Sequence, residues 1–446
     1  MSSGGSIQGL TTSKLEFKRG STRDRLILAL IIVGGIALVI GLAVGIPLSK
    51  RDAVPGPTHD PDLAFARSFL QDNVLIDGHN DLPWQIRQYE QNKVNNVNLN
   101  TDTRNEWPPG TPMTDMSFPV LPPQTDIPRL LEGGVGAQWW AAFVSCAATA
   151  KDAVRQGFDQ VDVIHKFTDK YPEAFTLARS ADDIVNIFAN NKIASLIGLE
   201  GGHMIGNTLG NLRMYYMIGV RYMTLTHSCD NDWADNYKAD LNGGISKGLT
   251  DFGKVVVREM NRLGMIVDVS HVSYQTMIDA IQTSDAPVIF SHSSVFALCN
   301  HYRNVKDDVL RMMKQKNGII MINFYTGYIN CNPDHANTTT VSQVADHIDY
   351  VKKLIGVEYV AIGADYDGVP FMPLELEDSS TYPVIFAELK RRNWSVEDLK
   401  KLAGLNFLRV FRAVEKVRDD KQNLPPYEDI IDKADYIMPH NCTTSF

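Results

Sequence analysis

The sequence predicts an α/β protein, a (β/α)8 TIM-like barrel preceded by a single N-terminal transmembrane helix. Three observations support this prediction. Short apolar runs alternate with amphipathic patterns eight times, and one long uncharged stretch lies near the N-terminus. Most of the runs are continuously apolar, as parallel strands buried on both faces are. Such a barrel takes ~200 to ~400 residues, so the part of the chain after Arg51 is long enough for one.

Eight strands and six helices are predicted in this part. The strands cover residues 74–77, 137–144, 193–199, 222–226, 265–269, 287–291, 318–324 and 359–363. The helices cover residues 152–171, 181–190, 250–263, 273–283, 307–315 and 341–355, and a proline-rich loop covers residues 95–126. An open doubly wound sheet is the alternative, but no G-x-G-x-x-G turn follows the first strand.

Residues 26–48 carry no charged side chain. As a helix rising ~1.5 Å per residue they would cross ~30 Å of hydrocarbon. A cleaved signal peptide is the alternative, but its apolar region would be shorter and nearer the start. Five Lys and Arg residues precede the span and two follow it closely, which places the N-terminus in the cytoplasm. We therefore expect a cytoplasmic tail (1–25), a transmembrane signal anchor (26–48), a stalk (49–61) and an extracellular domain (62–446), in a single-pass protein of the cell membrane.

The composition excludes several classes of protein. A hydrophobic share of 44% and a charged share of 21% are typical of a globular chain, and they exclude wholesale disorder. A net charge of −9 lacks the basic surface that nucleic-acid binding needs. Five cysteines are too few for a disulfide-built scaffold. All of them follow the span, as do three glycosylation sequons at Asn337, Asn393 and Asn441, in agreement with an extracellular domain.

Acidic and imidazole side chains follow the predicted strands, where a barrel places its reactive groups. Singly, such a histidine is usually structural and such an aspartate is often a helix cap. Clustered at one mouth without metal, their carboxylates would repel one another. Three histidines with two carboxylates form a set that zinc accepts, but it is too large for one catalytic zinc, so two ions sharing a carboxylate fit the count. The residues in question are His79, Asp81, Glu200, His227, His271, His292, Asp365 and Asp367.

The motifs around these residues resemble those of the membrane (renal) dipeptidase family, zinc enzymes with an amidohydrolase-type barrel. The resemblance runs from about Leu63 to about Val417, through DGHNDLPW, LIGLEGGH, RYMTLTHSCDNDWADN, DVSHVS, PVIFSHSS, RNVKDDVL and GADYDGVP. It implies that one zinc is held by His79 and Asp81, the other by His271 and His292, and that Glu200 bridges both. It further implies that His227, Arg303 and Asp365 bind substrate, with His227 and Asp365 also catalytic and Asp365 serving the proton transfers. His203 is interpreted as structural, and Asp77 and Asp367 as supporting residues.

The resemblance implies a two-zinc dipeptidase at the cell surface, with dipeptides as substrates, leukotriene D4-like and cysteinyl-glycine compounds among them. Two alternatives stay open: another amidohydrolase, and a non-catalytic surface receptor or adhesion protein that keeps the barrel. The sequence also departs from its vertebrate relatives, which carry a signal peptide and a C-terminal lipid anchor. The departure concerns membrane attachment and leaves the chemistry unchanged.

The cysteine count is odd, so one cysteine is left without an intrachain partner. The resemblance implies the disulfides Cys146–Cys229 and Cys299–Cys331, and this leaves Cys442 in the polar C-terminal tail. An exposed thiol in an oxidising compartment tends to find a partner, so we expect a homodimer linked through Cys442. The alternative is a free or capped thiol on a non-covalent dimer.

Overall fold

The computed structural model describes residues 60–108, 111, 122–332 and 338–440. The predicted tail, transmembrane span and most of the stalk lie outside the described residues, as do Asn337, Asn441 and Cys442. Within the described ranges, no helix has both the length and the apolar character required to cross a membrane.

The described strands form one parallel sheet that closes on itself. In chain order they are β1 (Leu75–Asn80), β2 (Val135–Phe143), β3 (Phe175–Leu177), β4 (Ile193–Glu200), β5 (Val220–Thr224), β6 (Ile266–Asp268), β7 (Val288–Ser293), β8 (Ile319–Ile322) and β9 (Val360–Ile362). The sheet order is β2-β1-β9-β8-β7-β6-β5-β4-β3, and β2 also pairs with β4 from Ala137–Ala194 to Phe143–Glu200. This pairing closes an eight-stranded barrel and leaves β3 at its side, so the doubly wound alternative is wrong.

Helices surround the barrel. They are α1 (Pro61–Asp72), α2 (Leu82–Glu90), α3 (Ile127–Glu132), α4 (Ala153–Lys170), α5 (Ala181–Ala189), α6 (Leu209–Met217), α7 (Asp251–Leu263), α8 (Tyr274–Thr283), α9 (Asp307–Gln315), α10 (Thr326–Ile329), α11 (Val341–Ile355), α12 (Tyr382–Arg391), α13 (Val396–Lys400) and α14 (Asn406–Asp420). Several begin at a side chain that caps the first backbone N–H groups, for example Ser180 at α5, Thr250 at α7 and Ser273 at α8.

The core has two parts. Apolar side chains of the strands pack outward against the helices, and a second cluster fills the barrel interior. Within that second cluster, Phe407 and Phe411 of α14 contact Trp139 of β2, with ring centroids 5.5 and 6.2 Å away. Arg409 of α14 donates to the carbonyl of Glu358, just before β9. Helix α14 therefore lies at the amino-terminal ends of the strands and leaves the carboxyl ends open.

All eight predicted strands and all six predicted helices are present, with ends shifted by a few residues at most of them. The prediction missed β3, which has three residues and lies beside the barrel, and several helices, among them α1, α2, α6, α12 and α14. Helix α1 carried a readable signal, since Asp60 caps it and Pro61 occupies its first turn.

Candidate active site

The predicted site residues meet in one cavity of about 180 Å³ at the carboxyl ends of the strands. In a closed parallel barrel these ends converge, and the loops that follow them form a single mouth. The cavity is lined by Asp81, Trp84, Gln85, Gln88, Tyr89, Phe143, Glu200, His227, Ser228, His271, Arg303, Tyr328, Asp365, Gly368 and Val369. His79 and His292 lie directly behind this lining, in contact with Glu200.

Glu200, the last residue of β4, is the centre of the cluster. Its Oε1 atom lies 3.0 Å from Nε2 of His271, 3.3 Å from Nε2 of His292 and 3.4 Å from Nε2 of His79. The Nε2 atom of His227 is 3.9 Å from the same oxygen. Four imidazoles from β1, β7 and the loops after β5 and β6 thus point one nitrogen each at one carboxylate.

Asp81 and Asp365 also lie next to His79. Oδ2 of Asp81 lies 3.2 Å from Nε2 of His79, so the two side chains point the same way, as their spacing predicted. The backbone N–H of Asp365 donates to the carbonyl of His79 over 3.2 Å, which ties the loop after β9 to β1. Asp365 also accepts a hydrogen bond from Nδ2 of Asn323 over 2.8 Å.

These buried groups strongly perturb one another's ionisation. Burial, together with the charges of Asp81 and Glu200, raises the pKa of Asp365 well above its ordinary value. Burial opposes the ionisation of Glu200, but the surrounding histidines hold its pKa well below the ordinary value. Burial would lower the pKa of His79, yet Glu200 and Asp81 raise it well above the ordinary value. Burial lowers the pKa of His227 to about 4, although the charge of Glu200 opposes this shift.

The donor set fits metal ions. Three groups of side chains place their ligand atoms within 4.8 Å of one another: His79, Glu200 and His292; Glu200, His227 and His271; and His79, Asp81 and Asp365. Nε2 of His79 is buried and faces two carboxylate oxygens, those of Asp81 and Glu200, at 3.2 and 3.4 Å. Nε2 of His271 and Nε2 of His292 are 2.9 Å apart, close enough to need a proton or a cation between their lone pairs. Imidazole and carboxylate are the ligands that zinc accepts in proteins.

Arg303, in the loop after β7, is 1% exposed. Its guanidinium donates to Oγ of Ser293 over 3.1 Å and to the carbonyl of His292 over 3.2 Å. The guanidinium carbon lies 5.3 Å from the ring centroid of Tyr328. No Asp or Glu among the described residues forms an ion pair with it, although a buried charge is costly unless it is paired. This cation therefore borders the cavity with its charge uncompensated.

His227 is held from behind by a disulfide and an aromatic ring. Its Nδ1 atom lies 3.7 Å from the sulfur of Cys146, which is bonded to Cys229 two residues beyond His227. The ring of Phe143 lies 4.4 Å from the imidazole, centroid to centroid. A second disulfide joins Cys299 to Cys331. Both pairs are those that the resemblance implied.

Two residues that line the cavity adopt left-handed backbone conformations, which residues other than glycine rarely do. His271 has φ 68° and Asp365 has φ 70°. Such conformations cost about 1–3 kcal/mol and persist where the surroundings enforce them, often at functional sites. Here each one turns the chain sharply after a barrel strand and directs the side chain into the cavity.

The residues interpreted as supporting do not border the cavity directly. Asp77 accepts from the backbone N–H of Ala364 over 2.7 Å and from Nε2 of Gln138 over 2.6 Å, and burial raises its pKa to about 6. Asp367 accepts from the backbone N–H of Gln124 over 2.7 Å, and burial raises its pKa to about 7. His203 contacts the carbonyl of Val144 over 3.0 Å, and burial lowers its pKa to about 4.

Sequence reasoning missed several residues that act on this cluster. Asn323 follows β8 and donates a hydrogen bond to Asp365. The only sequence signal for it was its position at the end of a predicted strand. The hydroxyl of Tyr222 lies 3.1 Å from Nδ1 of His79, and Oγ of Ser291 lies 2.8 Å from Nδ1 of His292. The aromatic side chains that line the cavity, among them Trp84 of α2 and Tyr328 of α10, were also missed, because a single aromatic residue gives no distinctive sequence signal.

Comparison with known proteins agrees with this geometry. Residues 63–425 match the family model described as Membrane dipeptidase (Peptidase family M19). Dipeptidase 3 of Rattus norvegicus is 41% identical over 366 residues, 81% of this chain and 70% of that protein. Dipeptidase 3 of Homo sapiens is 40% identical over 378 residues, 84% of this chain and 72% of that protein. A metallo peptidase from Rhodobacter sphaeroides, solved with a phosphinate mimic of L-Ala-D-Ala, is 21% identical. It covers 77% of this chain and 100% of its own, with a TM-score of 0.66, and so shares the fold.

Proposed function

The chain belongs to the membrane dipeptidase family, Peptidase family M19, and is therefore a metallo-dipeptidase; we propose that it is a two-zinc enzyme that hydrolyses the peptide bond of dipeptides at the cell surface. One observation carries this proposal. The cavity that gathers four histidines around Glu200 also holds Arg303, a buried cation that forms no ion pair with an Asp or Glu in the described part of the chain. A metal centre beside an anion-binding group is what a short peptide with a free C-terminus requires.

The proposed ligands are His79 and Asp81 for one zinc, His271 and His292 for the other, and Glu200 for both. The contacts of Glu200 with three of these histidines at 3.0–3.4 Å support the bridging role. When bound, two zinc ions would lower the pKa of a water molecule toward ~7 and polarise a carbonyl group. The remaining steps belong to side chains of the protein.

Arg303 binds the C-terminal carboxylate of the substrate through its guanidinium N–H groups, and the pair neutralises the buried charge. The carboxylate then lies at a fixed distance from the metal ligands. A longer peptide would have to place its next residue against the part of the cavity wall that Arg303 and Tyr328 form. This arrangement selects dipeptides by length, and we propose leukotriene D4-like and cysteinyl-glycine compounds within the same class.

Asp365 accepts a proton from the attacking water and delivers it to the leaving amine. Burial of its carboxyl group raises its pKa, which favours holding the proton between these two steps. His227, neutral because burial lowers its pKa to about 4, donates a hydrogen bond to the developing oxyanion. The disulfide behind its ring keeps it directed into the cavity.

The metal and substrate assignments are tested together. The purified chain should contain ~2 zinc ions and hydrolyse a panel of dipeptides, and Glu200→Ala should lose both activity and zinc because the shared ligand is gone. Ser195→Ala, which changes a buried serine elsewhere on β4, is the matched control. One tightly bound zinc in fully active enzyme would contradict the paired site. Two zinc ions without hydrolysis of any dipeptide would favour the receptor or the other amidohydrolase.

We also propose that residues 26–48 anchor the chain in the cell membrane and that Cys442 links two copies into a homodimer. The charge pattern around the span supports the first, and the odd cysteine count supports the second. Non-reducing electrophoresis of the wild type beside Cys442→Ser tests the link. A wild-type band at monomer mass would reject it and leave the two intrachain disulfides unaffected.

A further inference from the structure

A chain of hydrogen bonds lies behind His292, on the side away from the cavity. Oγ of Ser291 is 2.8 Å from Nδ1 of His292 and donates to Oδ2 of Asp268 over 2.6 Å. Ser291 and Asp268 are fully buried, and His292 is 1% exposed. Water therefore does not compete for these bonds, and their direction is determined by the groups themselves.

Asp268 determines which atom is the donor in each of these hydrogen bonds. Its Oδ1 atom accepts from the backbone N–H groups of Ser270 and Ser291 over 3.1 and 2.9 Å. Its Oδ2 atom accepts from Oγ1 of Thr224 over 2.5 Å as well as from Ser291. Four donors face the carboxyl group, so it has nothing to donate to and acts only as an acceptor. The hydroxyl proton of Ser291 is consequently committed to Asp268.

The free lone pair of Ser291 Oγ then faces Nδ1 of His292, and the contact is a hydrogen bond only if Nδ1 carries a proton. A neutral imidazole with its proton on Nδ1 has a bare lone pair on Nε2. That atom lies 3.3 Å from Oε1 of Glu200, inside the proposed metal site. The orientation needed for metal binding is therefore imposed from the opposite side of the ring.

We propose that Asp268 and Ser291 are positioning residues that act together to hold His292 in the metal-binding tautomer. The inference rests on the proposed zinc site. A carboxylate that orients a metal-bound histidine usually bonds the ring directly, whereas here a serine hydroxyl relays the effect. Neither residue touches substrate or the reacting atoms.

The other ligand histidines have different support. The hydroxyl of Tyr222 donates to the carbonyl of Gly78 over 3.3 Å and so accepts from Nδ1 of His79 over 3.1 Å. This support is a phenol, and no carboxylate among the described residues accepts a hydrogen bond from its hydroxyl. Nδ1 of His271 has no hydrogen-bond partner among the described residues. Loss of the Asp268–Ser291 pair should therefore lower the affinity for the zinc ion that His292 binds. The affinity for the other zinc ion should stay unchanged.

Two variants test the relay in the full-length chain. Ser291→Ala removes the hydroxyl. In Asp268→Asn, an amide N–H in place of Oδ2 would donate to Ser291, whose own proton would turn to Nδ1 of His292 and move the imidazole proton to Nε2. Ser195→Ala is the control, because this buried hydroxyl also loses one hydrogen bond, from Nε1 of Trp140 over 3.1 Å, away from the ligands.

The measurement is a zinc titration against a chromophoric chelator. We expect Ser291→Ala and Asp268→Asn to lower the affinity for one of the two zinc ions by ~10–100-fold. Ser195→Ala should bind both ions with the affinity of the wild type. Nitrogen-15 spectra of the histidine-labelled, metal-free chain give a second readout: His292 should carry its proton on Nδ1 in the wild type and lose this preference in both variants.

The outcomes separate the two proposals. A wild type that binds fewer than two zinc ions overturns the proposed metal site, while the nitrogen spectra still decide the tautomer. A wild type that binds two ions, with Ser291→Ala binding both equally tightly, overturns the relay alone. If Asp268→Asn does not fold, Ser291→Ala and the spectra decide the question.

Discussion

Asn323 donates a hydrogen bond from Nδ2 to Oδ2 of Asp365 over 2.8 Å, and its own Oδ1 accepts from the backbone N–H of Tyr325 over 2.5 Å. The amide is thus fixed at both ends. It leaves the other carboxyl oxygen of Asp365 directed toward Asp81 and the metal ligands. The end of β8 in this way orients the group to which we assign the proton transfers.

The first prediction concerns Asp365→Asn, which keeps the size of the side chain but removes its acid–base function. We expect kcat to fall by ~10²–10⁴-fold, with zinc content unchanged because Asp365 is not a proposed ligand. Asn323→Ala should give a smaller loss, since the carboxyl group remains but is no longer oriented. Steady-state kinetics with metal analysis checks both. A variant Asp365→Asn with wild-type kcat would remove the residue from the proton transfers.

The second prediction concerns Arg303 and the substrate's C-terminus. A hydrogen bond to a charged group is worth ~1.5–3 kcal/mol, so amidating the C-terminus of a dipeptide should lower kcat/KM by ~10-fold or more. Arg303→Ala should lower kcat/KM for the free dipeptide by a similar factor and leave the amidated one nearly unchanged. Arg303→Lys keeps the positive charge but lacks the paired N–H groups of the guanidinium. Its kcat/KM for the free dipeptide should lie between those of the wild type and Arg303→Ala. If wild type hydrolysed free and amidated dipeptides equally well, Arg303 would not be the carboxylate clamp.

Gly368 permits the close approach of the loop after β9 to the ligands. A Cβ atom at this position would lie 2.1 Å from Oδ2 of Asp81 and 2.6 Å from Oδ1 of Asp365. Gly368→Ala should therefore displace both carboxyl groups and abolish most activity. Gly210→Ala is the matched control, because a Cβ there would have only Oγ1 of Thr208 nearby, at 3.9 Å, and a helical glycine replaced by alanine gains roughly 0.5–1 kcal/mol. Equal activity of the two variants would show that the approach is not needed.

Several site residues could be predicted from the sequence because a barrel places its reactive groups at the carboxyl ends of its strands. The predicted strands are short and apolar, and the polar residues just past their ends reach the mouth, so His79, Glu200 and His292 could be found without knowing the fold in detail. Tyr222, Asp268 and Ser291 could not. They lie inside the predicted strands, where both faces are buried and no alternation shows which side chains point into the barrel. Which of them pair depends on the register between strands, and residues distant in sequence set that register.

His347 gives a prediction about pH and stability. Its Nδ1 atom accepts from the backbone N–H of Val295 over 3.0 Å, and Nε2 contacts the carbonyl of Ile329 over 3.1 Å. Burial lowers its pKa from 6.5 to about 4. Between these pH values the unfolded chain binds a proton at His347 that the folded chain does not bind. The contribution of neutral His347 to the free energy of unfolding is therefore complete above pH 6.5 and is lost as the pH falls toward 4. The loss amounts to about 2–4 kcal/mol.

His347→Gln removes this titration and keeps a polar side chain near the same partners. The free energy of unfolding should then fall less steeply than in wild type between pH 6.5 and 4, whatever its value at pH 8. Denaturant titrations of the chelator-treated chain measure the slope without a contribution from metal release. Parallel curves for the two proteins would show that His347 is not the titrating group.

The last prediction tests the topology at Asn393, the only predicted sequon whose asparagine lies among the described residues. Asn393 is exposed in the loop between α12 and α13 and has φ 64°, a conformation that Asn and Asp tolerate better than most residues. If this domain is extracellular, Asn393 should carry a glycan, and a glycosidase should shift the mass of the mature protein. Asn393→Asp suits the backbone and removes the acceptor, whereas Ser395→Ala would also remove the cap of α13. We therefore expect Asn393→Asp to lose one glycan and keep its activity. Unglycosylated wild type whose C-terminus is protected from protease in intact cells would reverse the proposed orientation.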